Sequence, residues 1–164
     1  MGDITNYAIP FFLLTLLAEL AISIYGKRKF YTTNDTFASL SMGIGSIVSS
    51  LLSKGIKFSV FTFLYTYRII EIPMLWWGFI LILLADDFAY YWFHRISHRM
   101  RYFWASHVVH HSSQKYNLST ALRQTWTGEL SGSFMFYAWM PLIGFEPIWI
   151  LTAQSTSLIY QYWI

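Results

Sequence analysis

All five histidines of this 164-residue chain fall between positions 94 and 111, in the stretch HRISHRMRYFWASHVVHH. His94 and His98 stand four residues apart, and His107, His110 and His111 follow at i, i+3 and i+4. On a helix, residues at those spacings share one face. Two such faces turned toward each other would aim five imidazole nitrogens at a common centre, so these five residues are the candidate metal ligands. A single H-x-x-x-H pair arises readily by chance; two clusters in a chain with no other histidine do not. Imidazole suits zinc, copper, iron and nickel. A hydrolytic zinc site of the H-E-x-x-H kind needs a glutamate directly after its first histidine, and Arg95 occupies that place. Zinc also lacks redox states. A nitrogen-rich centre beside a long apolar run points instead to iron, and to oxygen chemistry on a hydrocarbon chain.

Supporting residues follow from helical spacing. Asp87 and Tyr91 precede His94 by seven and three positions, so Asp87, Tyr91, His94 and His98 share one stripe. A carboxylate in that stripe could accept a ligand N–H and fix the ring's tautomer, and a charge so close to an apolar run is costly without a partner. Asp87 is therefore the expected supporting carboxylate, while Asp86 points elsewhere and marks the membrane boundary. Asn117 is a second supporting candidate, with a helix N-cap as the plainer reading. Arg123 and Gln124 sit in a polar amphipathic stretch expected at the membrane surface, and Glu129 lies further off.

The elements that must position these residues are apolar. The chain is 55% hydrophobic, 21% aromatic and 12% charged, about half the charge of a soluble domain, in which roughly 25% of residues are charged. So short a chain cannot bury that much apolar surface within itself, and the excess is expected to face lipid. The net charge of +3 is gathered in short clusters between apolar runs, which fits membrane flanks and not a nucleic-acid surface. With no cysteine, disulfides and thiolate metal sites are excluded. The result is an all-α reading: an integral membrane helical bundle with a cytoplasmic, histidine-rich metal-binding cap.

Tyr7 to Tyr25 is long enough to cross a bilayer and carries no small-residue cleavage site, so it reads as a retained span with Glu19 near an interface or facing other helices. Lys27, Arg28 and Lys29 follow and mark the cytoplasmic side. Asn34 or Asp35 can cap a new helix. Residues 36 to 70 begin weakly apolar and rich in Ser and Gly, and Gly55 is the expected point of a bend or break. Ile72 to Phe93 is the next strong run, with Pro73 suited to its first turn. Two shorter apolar runs, joined at Phe145-Glu146-Pro147, read as a tight helical hairpin. If Lys27 to Lys29 and the Arg-rich histidine window are both cytoplasmic, residues 36 to 70 make one net crossing outward. As a straight helix they would be too long, so an in-plane or bent element is expected there.

The histidine window resembles the fatty acid hydroxylase superfamily, the sterol desaturase group of membrane di-iron enzymes. HRISH and HVVHH match that group's H-x-x-x-H and H-x-x-H-H boxes; DDFAYYWFHR is similar to its lead-in, and YNLSTALRQTW to the segment after its second box. The details are most similar to the branch holding alkylglycerol monooxygenases and bacterial sterol-desaturase-like proteins. The resemblance implies two non-haem iron ions, dioxygen as co-substrate, a lipid substrate (fatty acyl, ether lipid or sterol) that is hydroxylated or desaturated, and an external electron donor such as a cytochrome, a ferredoxin or a pterin. It also implies a third histidine cluster, which the chain lacks before it stops at SLIYQYWI. Residues 1 to 164 are therefore expected to be a single membrane-embedded domain cut before the remaining ligands, inactive alone. The competing class is a membrane haem- or metal-transport protein. It would want ligands or ionisable groups at mid-span, which the sequence does not suggest.

Overall fold

The computed structural model describes residues 4 to 163. It is helical, with no strand among the described residues: α1 (Ile4–Tyr25), α2 (Thr33–Tyr65), α3 (Trp76–Ser97), α4 (Arg101–His107), α5 (Leu118–Ala121), a 3-10 turn (Ser133–Tyr137), α6 (Trp139–Ile143) and α7 (Pro147–Gln161). Among the described residues two helices are long and apolar enough to cross a membrane, Tyr7–Tyr25 and Thr33–Tyr65, and only 17% of each apolar window is buried. Leu14, Leu51, Leu52 and Leu84 are all exposed. At about 25 cal/mol per Å² of apolar surface, such faces are unfavourable in water and suited to lipid.

Phe61, Ile82, Met140 and Ile150 form the fully buried centre, drawn from α2, α3, α6 and α7. The hairpin expected at residues 145 to 147 is present: Gly144 takes φ 135°, Glu146 is the N-cap of α7 and Pro147 opens it. A Cβ at Gly144 would collide with the Ile70 carbonyl, so the turn requires glycine on two counts. The tip of the hairpin binds an extended segment, with Ile69 N–H donating to Leu142 O at 2.9 Å and Ile72 N–H to Gly144 O at 3.3 Å. That pairing holds residues 69 to 72 out of helical conformation and delays α3 to Trp76. Pro73 thus lies ahead of the helix instead of in its first turn.

The expected break at Gly55 does not occur: α2 runs unbroken for 33 residues, about 50 Å at 1.5 Å per residue. Its surplus length is taken up at its N-terminal end. Asp35 and Ser39 bond Arg123, Trp126 Nε1 donates to Met42 O at 3.0 Å, and the indole fills the space a side chain at Gly45 would need. From Ser46 to Tyr65 the helix is of ordinary membrane-crossing length, roughly 20 residues. Along it, Ser46, Ser49, Ser50 and Ser59 donate to carbonyls three or four residues earlier, which hides their hydroxyls within the helix. The helix begins after Thr32, which makes no side-chain cap bond. Asp35 is in the first turn but faces Arg123 instead of capping.

Polar contacts tie the long helices together. Lys57 on α2 is buried, donating to Glu129 at 2.6 Å and to Gln154 of α7 at 3.0 Å, and Ser53 reaches the other oxygen of Glu129 at 2.8 Å. Glu129 is thereby committed to the bundle and not to the histidines. Asp86 on α3 is buried and accepts from Ser157 Oγ of α7 at 2.6 Å; its Oδ1 has no hydrogen-bond partner. The sequence reading made Asp86 a boundary marker and left the span interior without ionisable groups. The structure instead buries Asp86 where its turn of α3 faces α7, and it buries Lys57 within the apolar helix α2. Thr15 of α1 meets Tyr162 OH at 3.1 Å, with Phe12 stacked on the Tyr162 ring.

Candidate metal centre

The centre is built at the end of α3. His94 lies in its last turn and His98 is its C-cap, with its N–H on His94 O. Arg99 and Met100 turn the chain into α4, which ends in His107, and two successive turns (His110 N–H to His107 O at 3.0 Å, His111 N–H to Val108 O at 3.1 Å) follow. The reversal brings the His94 and His107 rings to 4.7 Å between centroids and His98 and His111 also to 4.7 Å. One ring nitrogen from each of His94, His98, His107 and His111 lies within 4.8 Å of the others. Trp104 stacks on His111 and flanks His98.

Within this set, His94 Nε2 is 3.0 Å from His98 Nε2, and His107 Nε2 is 3.2 Å from His111 Nε2. Two imidazole nitrogens bound to one ion at about 2.1 Å and at right angles would be about 3.0 Å apart. Facing lone pairs at that distance repel unless a proton or a cation lies between them. The protonation states agree with a ligand set. Burial first, then the neighbouring imidazoles, pushes His107 down to about 4, and burial lowers His111 too, helped by His110 and His98. Both rings are therefore neutral near pH 7, the form that binds a metal. The residues present thus fit a bound first-row ion.

The remaining sequence-nominated residues fall into different places. His110 stands outside the four-nitrogen set, its Nδ1 against Arg123 O at 3.3 Å. A carbonyl only accepts, so Nδ1 carries the hydrogen, and Nε2 is the nitrogen left to face other partners. Asp87 is exposed, on an open cleft of about 420 Å³ shared with Tyr90, Tyr91, His94 and Arg95; among the described residues it bonds no histidine. Tyr90 Oη instead lies 3.2 Å from His94 Nδ1, while Tyr91 OH accepts from Arg95 at 2.5 Å. Asn117 caps α5, its Oδ1 accepting from Ser119 N and Thr120 N, and its amide donates to Phe30 O at 2.9 Å. These bonds lead away from the imidazoles.

Arg123, expected as a surface residue, is buried. It pairs with Asp35 at 2.7 Å and donates to Ser39 Oγ at 3.1 Å and Ser112 Oγ at 2.9 Å. Its carbonyl holds His110 and its side chain holds the start of α2, so one residue fixes the histidine turn to the bundle. The polar QKYNLSTALRQTW composition concealed this, because a buried, fully bonded arginine and one on the surface look alike in sequence. The basic segment after α1 joins the same end: Lys115 Nζ donates to Lys29 O at 3.4 Å, and Leu118 N–H to Glu19 Oε2 at 2.8 Å.

The described residues form a helical bundle with two helices long and apolar enough to cross a membrane and a four-imidazole cluster that could hold a metal ion at one end. The chain belongs to the fatty acid hydroxylase family, whose model (Fatty acid hydroxylase) matches residues 79–164, more than half of the chain and all five histidines. It is similar to the alkylglycerol monooxygenases of Xenopus tropicalis (36% identical over 99% of this chain and 36% of the relative), Homo sapiens (37% identical, 99% and 37%) and Danio rerio (35% identical, 97% and 36%). The chain therefore spans little more than a third of the length of these curated relatives. No solved structure matches it significantly.

Proposed function

We propose that residues 1 to 164 form one membrane-embedded domain of a di-iron oxidoreductase that uses dioxygen to hydroxylate or desaturate a lipid. Among the lipid classes the sequence suggested, the name of the relatives, alkylglycerol monooxygenase, favours an ether lipid and monooxygenation. The observation that carries the reading is the convergence of four imidazole donors at the C-terminal end of α3 in a chain of this family. His94, His98, His107 and His111 hold one iron, and His110, with its Nε2 left to face other partners, serves a second. Iron bound there supplies the redox chemistry that inserts oxygen into a C–H bond. The chain's own contribution is to fix the imidazoles, to keep His107 and His111 neutral, and to bring a lipid chain along the apolar face of α3 to the open side of His94. Electrons come from an external donor.

The same end of the bundle carries Lys27 to Lys29, Arg95, Arg99 and Arg101, so by the positive-inside rule it is the cytoplasmic end of a multi-pass protein. The test is to purify the protein from iron-replete cells, measure bound iron, and follow oxygen-dependent turnover of an alkylglycerol with a supplied reductant. Iron together with oxygen-dependent product supports the reading. A haem absorption band, or an iron-free protein, would replace it with the haem or transport alternative.

A further inference from the structure

Among the described imidazoles, His94 alone has a side-chain hydroxyl against its inner ring nitrogen. Tyr90 stands one turn earlier on α3, and its Oη lies 3.2 Å from His94 Nδ1. The outer nitrogen, Nε2, is 3.0 Å from His98 Nε2, inside the four-nitrogen set. A neutral imidazole has one N–H and one lone pair. For the lone pair to point into the cluster, the hydrogen must sit on Nδ1 and needs an acceptor there. The Tyr90 ring is half-buried, beside Phe93 and 5.5 Å from the His94 ring. Tyr91 cannot substitute, because it is turned to Arg95.

We propose that Tyr90 is a positioning residue for the metal centre: its phenol oxygen accepts the Nδ1–H of His94 and so directs the Nε2 lone pair at the metal. The inference rests on the metal-centre reading above and assigns that centre's outer support to a phenol in place of the expected carboxylate. A neutral phenol orients the ring without placing a negative charge beside lipid, where an unpaired charge is costly.

The test uses the whole chain in lipid nanodiscs, labelled with ¹⁵N-histidine and free of metal, followed by titration with cobalt(II). In the wild type the His94 nitrogens should report the Nδ1–H tautomer. Tyr90→Phe keeps the ring but removes the hydroxyl; it should give a mixed tautomer at His94 and weaken cobalt binding roughly 10- to 100-fold, the range for losing the outer partner of a ligand histidine. Tyr91→Phe should change neither. An unchanged His94 tautomer, or unchanged cobalt affinity, in Tyr90→Phe overturns the proposal. Failure of the wild type to bind cobalt counts against the metal-centre reading instead, and the tautomer then still decides what Tyr90 does.

Discussion

Each imidazole of the histidine window has a distinct station. His94, His98, His107 and His111 converge, whereas His110 is turned to the Arg123 carbonyl. Alanine at any of the four should strip the first metal ion, and His110→Ala should leave it bound, as read by metal analysis of each purified variant. Equal loss across all five would show that the observed separation of His110 has no energetic meaning. A second expectation concerns acid. Unfolded histidine titrates near 6.5 and folded His107 near 4, so between those values the unfolded chain binds the extra proton. Stability of the metal-free protein should therefore be full above pH 6.5 and fall as the pH drops toward 4, with His107→Gln flattening that dependence in thermal unfolding scans. The sequence singled out the histidine window, and the i, i+4 spacing of His94 and His98 does put both on one side of α3. But α4 ends at His107, so His110 and His111 are placed by turns that helical spacing does not describe. The sequence misplaced their support for a geometric reason. Asp87 aligns with His94 in angle but lies seven residues, about 10 Å, away along the axis, whereas Tyr90 lies four residues, about 6 Å, away.

Elements set the precision of the centre, and α2 is the clearest case. Its length and Gly55 suggested a bend, yet it is one helix whose first turns extend into the histidine end. No pattern in residues 33 to 45 alone reveals that, because the cause is distant: Arg123 and Trp126 reach back across the fold. Removing one partner of a buried ion pair costs about 3–5 kcal/mol, while replacing both with apolar residues can be close to neutral. Asp35→Leu alone should therefore destabilise the solubilised protein by roughly that amount, and Asp35→Leu with Arg123→Met by clearly less. Denaturant titration of the two variants checks this; equal losses would mean the pair contributes only packing. The turn at residues 144 to 147 was legible, because glycine and proline at a junction carry their conformation with them, whereas the break-up of the first arm into a 3-10 turn and the short α6 was not.

At the scale of the whole molecule, α2 leaves the histidine end and α3 returns to it, so the basic segment after α1 and the metal centre share one side. Cysteine scanning suits the chain, which has none of its own. Lys27→Cys and Tyr116→Cys should be labelled from the cytoplasm, and Arg68→Cys, beyond the far end of α2, from the opposite side. Labelling of Lys27→Cys and Tyr116→Cys from opposite sides would overturn the arrangement. The central claim is that these imidazoles hold iron. X-ray absorption at the iron edge of the purified, membrane-reconstituted protein tests it most directly. The account predicts a first shell dominated by nitrogen near 2.1 Å, with the outer-ring scattering of several imidazoles, lost when His94 and His107 are both replaced by alanine. A shell of oxygen alone, or a spectrum unchanged in that double variant, would contradict it.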